Sequence, residues 1–187
     1  KKDYHSCEGY TRVERNGKYG FIDNYGNEVI PIKYDDTEGF HEGFAAVKLN
    51  GKWGYIDKNN NKVIAFEYDT AGRFCEGLAL VKLNNEYGFV NKRGKMVVRP
   101  KYDDVRSFND GLAPVELSGK YGFINKCGKV VVPLQYDNFD RYCEALAPVK
   151  LGKRWGFIDK SGNVVILCKY DLHSSFKEGL AEVRLNG

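Results

Sequence analysis

Hydrophobic and polar positions alternate along this chain in short runs, with no long stretch of helical spacing. In Phe44 to Leu49, residues Ala45, Val47 and Leu49 fall on one face and Ala46 and Lys48 on the other, the period of a half-buried strand, denoted A. Asn50-Gly51 follows, a two-residue signal for a type I′ hairpin, because both central residues need positive φ. Strand B, Lys52 to Ile56, places Trp53 and Tyr55 on one face and Gly54 and Ile56 on the other. The next turn reads Asp23-Asn24-Tyr25-Gly26 or Asp159-Lys160-Ser161-Gly162 in equivalent stretches. This predicts a type I turn closed by a left-handed residue and capped by the Asp side chain. Asn60 stands in for the Gly once, as the next most tolerant residue. Strand C runs through Val63-Ile64, apolar on both faces and expected to be buried on both. A longer loop, such as Asp69 to Gly77, leads to the next strand A.

This pattern is one unit written repeatedly. Tyr19-Gly20-Phe21, Trp53-Gly54-Tyr55, Tyr87-Gly88-Phe89, Tyr121-Gly122-Phe123 and Trp155-Gly156-Phe157 are each 34 residues apart. Tyr-Asp pairs at 34–35, 68–69, 102–103, 136–137 and 170–171 keep the register. So do the aromatics Phe40, Phe74, Phe108, Tyr142 and Phe176. The expected fold is all-β: tandem three-stranded antiparallel meanders stacked in an open superhelical, solenoid-like array, with a propeller-like ring as the alternative. Approximate units are 10–43, 44–77, 78–111, 112–145 and 146–179, with a partial unit at 180–187, all in a single array over 1–187. Six copies of strand A against five of B and C favour the open array. A propeller blade more usually has four strands, and this unit shows three. Such a unit buries too little to stand alone, so stability is expected from packing unit on unit.

Strand A first appears in degenerate form at Tyr10 to Arg15 and last at Leu180 to Leu185. Asn186-Gly187 is then a hairpin signal without its strand B. The expectation is that the polypeptide continues or that the last strand closes on the first.

The motif Gly51-Lys52-Trp53-Gly54-Tyr55-Ile56-Asp57-Lys58, with Val63-Ile64, Tyr68-Asp69 and Glu76-Gly77-Leu78-Ala79 before Val81, resembles the bacterial WG-repeat family over essentially the whole chain. Tyr replaces Trp in three of five copies, and Ala145 replaces the loop Gly. The resemblance implies a β-rich repeat array. The family as a whole has no assigned catalytic activity, so it transfers no site residues and no cofactor.

Composition narrows the function. Of 187 residues, 14% are aromatic, which suits pleated surfaces. A net charge of +4, from 29 Lys/Arg interspersed with 25 Asp/Glu, forms no basic stripe and argues against nucleic acid. No run of 18 apolar residues argues for membrane insertion. Five cysteines, with no CxxC pair, read as free thiols, favour a reducing compartment and predict no disulfide among Cys7, Cys75 and Cys143.

Local chemistry mostly reduces to turns. Gly88 to Lys95 has the wrong spacing for a phosphate loop, and Met96 stands where Ser or Thr is needed. Asp57 to Asn61 resembles the start of a calcium loop, but Lys62 replaces its Gly and Tyr68 its bidentate Glu. Asp35, Asp69, Asp103, Asp137 and Asp171 each precede an acidic residue by seven positions. Such carboxylate pairs either bind Ca²⁺ or, as the simpler reading has it, the Asp caps its loop. The three histidines occupy different slots, so no metal or catalytic site is expected. The row Tyr19, Trp53, Tyr87, Tyr121 and Trp155 either packs against neighbouring units or forms a ladder for sugars or peptides. The expected function is a non-catalytic scaffold that binds a protein or peptide through the variable C-to-A segments. Arg73, Arg106, Arg141, Trp53 and Trp155 are the candidate binding residues. The alternatives are a structural spacer that self-associates end to end and a carbohydrate-binding module.

Overall fold

The computed structural model describes residues 6–185, and every helix-or-strand element among them is a β-strand. Position 5, one of the three histidine slots, and the hairpin signal at 186–187 lie outside the described residues, and so does the side chain at position 7. The chain divides into two compact units, one ending at Asn109 and the other starting at Asp110.

In the first unit, β1 (Ser6–Cys7), β2 (Tyr10–Arg15), β3 (Lys18–Ile22) and β4 (Glu28–Tyr34) pair in that order as one antiparallel sheet. The sheet recurs as β5 (Asp36–Thr37), β6 (Phe44–Leu49), β7 (Lys52–Asp57) and β8 (Lys62–Tyr68). It recurs again as β9 (Thr70–Cys75), β10 (Leu78–Leu83), β11 (Glu86–Asn91) and β12 (Met96–Tyr102), and β13 (Asp104–Val105) follows. In the second unit, β14 (Leu112–Leu117), β15 (Lys120–Asn125) and β16 (Val130–Tyr136) form an antiparallel meander. A four-stranded sheet follows: β17 (Asn138–Phe139), β18 (Leu146–Leu151), β19 (Arg154–Asp159) and β20 (Val164–Tyr170). Last, β21 (Leu172–His173) pairs with β22 (Val183–Arg184).

The expected A, B and C strands are therefore present, and a fourth strand is added ahead of A. The segment 69–77, expected to be a loop, is mostly strand β9, which pairs with the following strand A. Local pattern missed this strand because its partner lies across a turn and its ladder shifts at Ala79/Val81. That shift leaves the slot of Leu80 out of the outer ladder, and Pro148 fits the same slot without losing an outer donor. With four strands per sheet, strand count no longer argues against a propeller blade. The sixth strand A, expected over Leu180 to Leu185, is reduced to Val183–Arg184.

The turns follow their residues. Asn50 and Gly51 take φ of 51° and 82°, as a type I′ hairpin requires. In the B-to-C turn, Asp57 Oδ1 accepts the N–H groups of Asn59 and Asn61 at 2.9 and 2.8 Å, and Asn60 sits at φ 62°.

Burial explains the recurring glycine after the row aromatic. Strands β7 and β8 pair Trp53 with Tyr68 and Tyr55 with Ile64, so three residues of β8 bulge opposite Gly54. A Cβ on Gly54 would lie 2.7 Å from the Ile64 carbonyl oxygen and 2.8 Å from that of Ala65. Gly20, Gly88, Gly122 and Gly156 stand equally close to backbone. Strand C can fold over strand B only where B has no side chain.

The cores lie between consecutive sheets. Phe21, Ile30, Tyr34 and Phe40 pack with Ala45, Val47 and Ile56 of the next sheet. Tyr55, Ile64, Tyr68 and Phe74 repeat this with Ala79, Val81 and Val90, and so do Phe123, Val132 and Tyr136 with Ala147, Val149 and Ile158. Strand A is consequently buried on both faces at Ala45, Ala46 and Val47, where alternation predicted a half-buried strand. Small Ala residues on both faces permit neighbours on both sides. Val63 of strand C, by contrast, is only half-buried.

Candidate functional site

The recurring carboxylates are engaged between sheets. Asp35 Oδ1 takes a hydrogen bond from Lys18 Nζ at 2.5 Å, while Oδ2 takes one from the Gly51 N–H at 3.1 Å in the next sheet's hairpin. Asp69 does the same with Lys52 (2.6 Å) and the Asn84 N–H (2.9 Å), and Asp137 with Lys120 (2.5 Å) and the Gly152 N–H (2.6 Å). Asp171 pairs with Arg154. The lysine ammonium first, and the hairpin N–H next, hold the Asp35, Asp69 and Asp137 carboxyls below their usual range. The Asp was expected to cap its own loop. Instead it caps the hairpin of the following unit, because β-strand length carries that turn past it.

The acidic residue seven positions on, with Glu8 in the same repeat slot, serves a second fastener at a different place. Glu8 accepts from the Gly43 N–H at 3.1 Å and pairs with Lys58 at 3.0 Å. Glu42 accepts from the Gly77 N–H at 2.9 Å and pairs with Lys92 at 3.0 Å. Glu144 accepts from the N–H groups of Glu178 and Gly179. Burial pushes the Glu8 and Glu42 carboxyls up, and the lysine and backbone donors outweigh it to leave both lowered. In the pair Asp35 and Glu42, each carboxylate thus has its own protein donors. Among the described residues, no group of three or more His, Cys, Asp or Glu is placed to hold a metal. Lys18, Lys52 and Lys120 were not among the expected site residues, although a Lys after the hairpin Gly and 17 residues before Asp35, Asp69 and Asp137 was a visible signal.

The candidate binding residues fall into two groups. Arg73 is exposed on strand β9, and Arg106 and Arg141 are exposed on the corresponding segments of later repeats. Trp53 is half-buried against the core, and Trp155 packs tilted against His173 with ring centroids 4.2 Å apart. Tyr121 meets Phe139 similarly at 5.2 Å, so these two members of the aromatic row pack on the fourth strand. A cavity of about 280 Å³ is lined by Leu172, His173, Ser174, Glu182, Val183 and Arg184. Cys75, Cys127, Cys143 and Cys168 are free thiols. Among the described residues, no helix is long and apolar enough to cross a membrane.

Recurring four-stranded antiparallel sheets, joined by carboxylate fasteners, define a β-repeat protein. The family described as "WG containing repeat" matches residues 19–53, 53–87, 87–121, 121–155 and 155–187, and the chain belongs to it. No curated protein matches the sequence. Among solved structures, the chain is similar to Kluyveromyces lactis Hsv2 with its loop 6CD replaced by a Gly-Ser linker, at 9% identity and a TM-score of 0.53. That match covers 85% of this chain and 61% of the other. A structure titled as a eukaryotic initiation factor matches at 11% identity and a TM-score of 0.54, covering 90% of this chain and 55% of the other. The chain spans about three-fifths of the length of these structures, and the likeness concerns the fold alone.

Proposed function

We propose that this array is a non-catalytic scaffold that binds a protein or peptide through the segments between strand C and strand A. The observation supporting this reading is a division of labour. The residues that recur in register are consumed in turns, cores and fasteners. The residues that differ, including Arg73, Arg106 and Arg141, are exposed on a repeated frame. A rigid frame with variable exposed segments is the usual basis of recognition. The test is a displayed random-peptide library panned against the intact chain, followed by binding measurements with Arg73→Ala, Arg106→Ala and Arg141→Ala. Enriched peptides should lose about tenfold in affinity with at least one variant. Affinity unchanged by all three, or no enrichment at all, would count against the proposal.

A spacer that associates end to end is the second reading. It is supported by exposed Val164, Val165, Leu167, Leu172 and Leu180 in the last sheets. Mass that rises with concentration in light scattering would favour it, and a constant monomer mass would not. The carbohydrate reading has weaker support, because Trp53 and Trp155 are packed against protein groups.

A further inference from the structure

We infer that the turn from Tyr142 to Leu146 is a built-in release point, where the repeat frame opens before the equivalent turns at 41–44 and 75–78 do. Two departures from the repeat coincide there. In the other described fasteners of this type, a glutamate reaches the backbone of the following turn: Glu8 to Gly43, Glu42 to Gly77, and Glu144 to Gly179. The equivalent carboxylate facing the 142–146 turn belongs to Asp110, one methylene shorter. It pairs with Lys160 at 3.2 Å, its side chain is 62% exposed against 32% for Glu42, and among the described residues it accepts no N–H from this turn. The second departure is Ala145. It holds φ of 71° where Gly43, Gly77 and Gly179 hold 89°, 84° and 77°. A Cβ is disfavoured in that region. The turn therefore lacks the bond that holds its counterparts and carries strain that they do not.

One compensating contact sets where the movement pivots. Tyr142 stands where the other copies have Phe, and its hydroxyl donates to the Asp159 carbonyl at 3.1 Å. The ring is tethered, and the segment 143–145 beyond it is released. This turn adjoins Arg141, but the inference concerns the free chain and does not depend on partner binding.

Amide hydrogen exchange on the intact chain tests it. Cys143 and Leu146 exchange two backbone hydrogen bonds of 2.8 and 3.0 Å, and His41 and Phe44 make the same pair at 2.9 and 3.1 Å. A difference between the two turns therefore reports opening rather than a missing bond within the turn. After correction for intrinsic rates, Cys143 and Leu146 should exchange roughly tenfold or more faster, the worth of a charged hydrogen bond. Asp110→Glu combined with Ala145→Gly should bring them close to His41 and Phe44. The converse pair, Glu42→Asp with Gly77→Ala, should transfer fast exchange to Cys75 and Leu78. Tyr142→Phe should accelerate Cys143 further. Equal protection in the wild-type chain, or double variants that move neither turn, would overturn the inference.

Discussion

Strand A is written in nearly the same letters at Leu78 to Leu83 and at Leu180 to Leu185, yet the two segments fold differently. The first is a six-residue strand with Leu78 7% and Val81 0% exposed. The second keeps a two-residue strand, with Leu180 77% and Val183 37% exposed. Strand β10 pairs with both β9 and β11, whereas β22 pairs with β21 alone. Strand propensity is the same in both places. What differs is a neighbour on each edge and a sheet against each face, and these supply the burial.

The largest effect should come from breaking the inner sheets at the crossing of B and C. Gly54→Ala should cost about 3 kcal/mol or more, because its Cβ meets fixed backbone oxygens. Gly51→Ala, which meets nothing within 4 Å, should cost only the left-handed penalty of about 1–2 kcal/mol. Equal urea midpoints for the two variants would contradict this account. Truncating strand A itself sharpens the contrast. Val81→Ala should lose about 2 kcal/mol, while Val183→Ala should lose under about 0.5 kcal/mol.

Acid should act next. The Glu8 and Glu42 carboxyls lie below their ordinary 4.5, and Asp35, Asp69 and Asp137 below 3.8. A carboxyl held lower in the folded chain than in the unfolded one stabilises above its unfolded value. That contribution fades as pH falls through the folded value. Melting temperature, read by circular dichroism, should therefore change little due to these groups from pH 7 to about 5 and fall below that. Glu42→Gln should shrink the fall. A curve of equal depth in both proteins would show that Glu42 carries none of it.

The smallest effect concerns one hydrogen bond. Tyr34 donates to Asn60 Oδ1 at 2.7 Å, at the slot where the later repeats have Gly94, Gly128 and Gly162. Asn60→Gly should cost about 1 kcal/mol, and much less in a Tyr34→Phe background. Additive losses would remove this contact from the inner sheet's account.

Turn chemistry was the most legible part of the chain. Asn50-Gly51 and the Asp57 cap are local, so three or four letters suffice to specify them. The meander was legible for a related reason: its strands are adjacent in sequence and joined by those turns. The fourth strand was not, because Thr70 to Cys75 carries weak alternation and acquires its ladder only from β10. The candidate residues divide in the same way. Exposure of Arg73 and Arg141 followed from polar positions in variable segments. The packing of Trp155 on His173 joins residues 18 apart and had no local signature.

By itself the sequence determined the 34-residue period, the all-β class, the A–B–C order and the turn types, since each depends on contacts between near neighbours. Only the tertiary structure decided the rest. It added a fourth strand to every sheet but the two-stranded β21–β22 pair, and it buried strand A on both faces in the inner sheets. It also assigned the two recurring carboxylates to two separate fasteners rather than one cation site. Those outcomes depend on which sheet lies against which, and a backbone N–H that completes Asp35 or Glu42 comes from a turn 16 or 35 residues away.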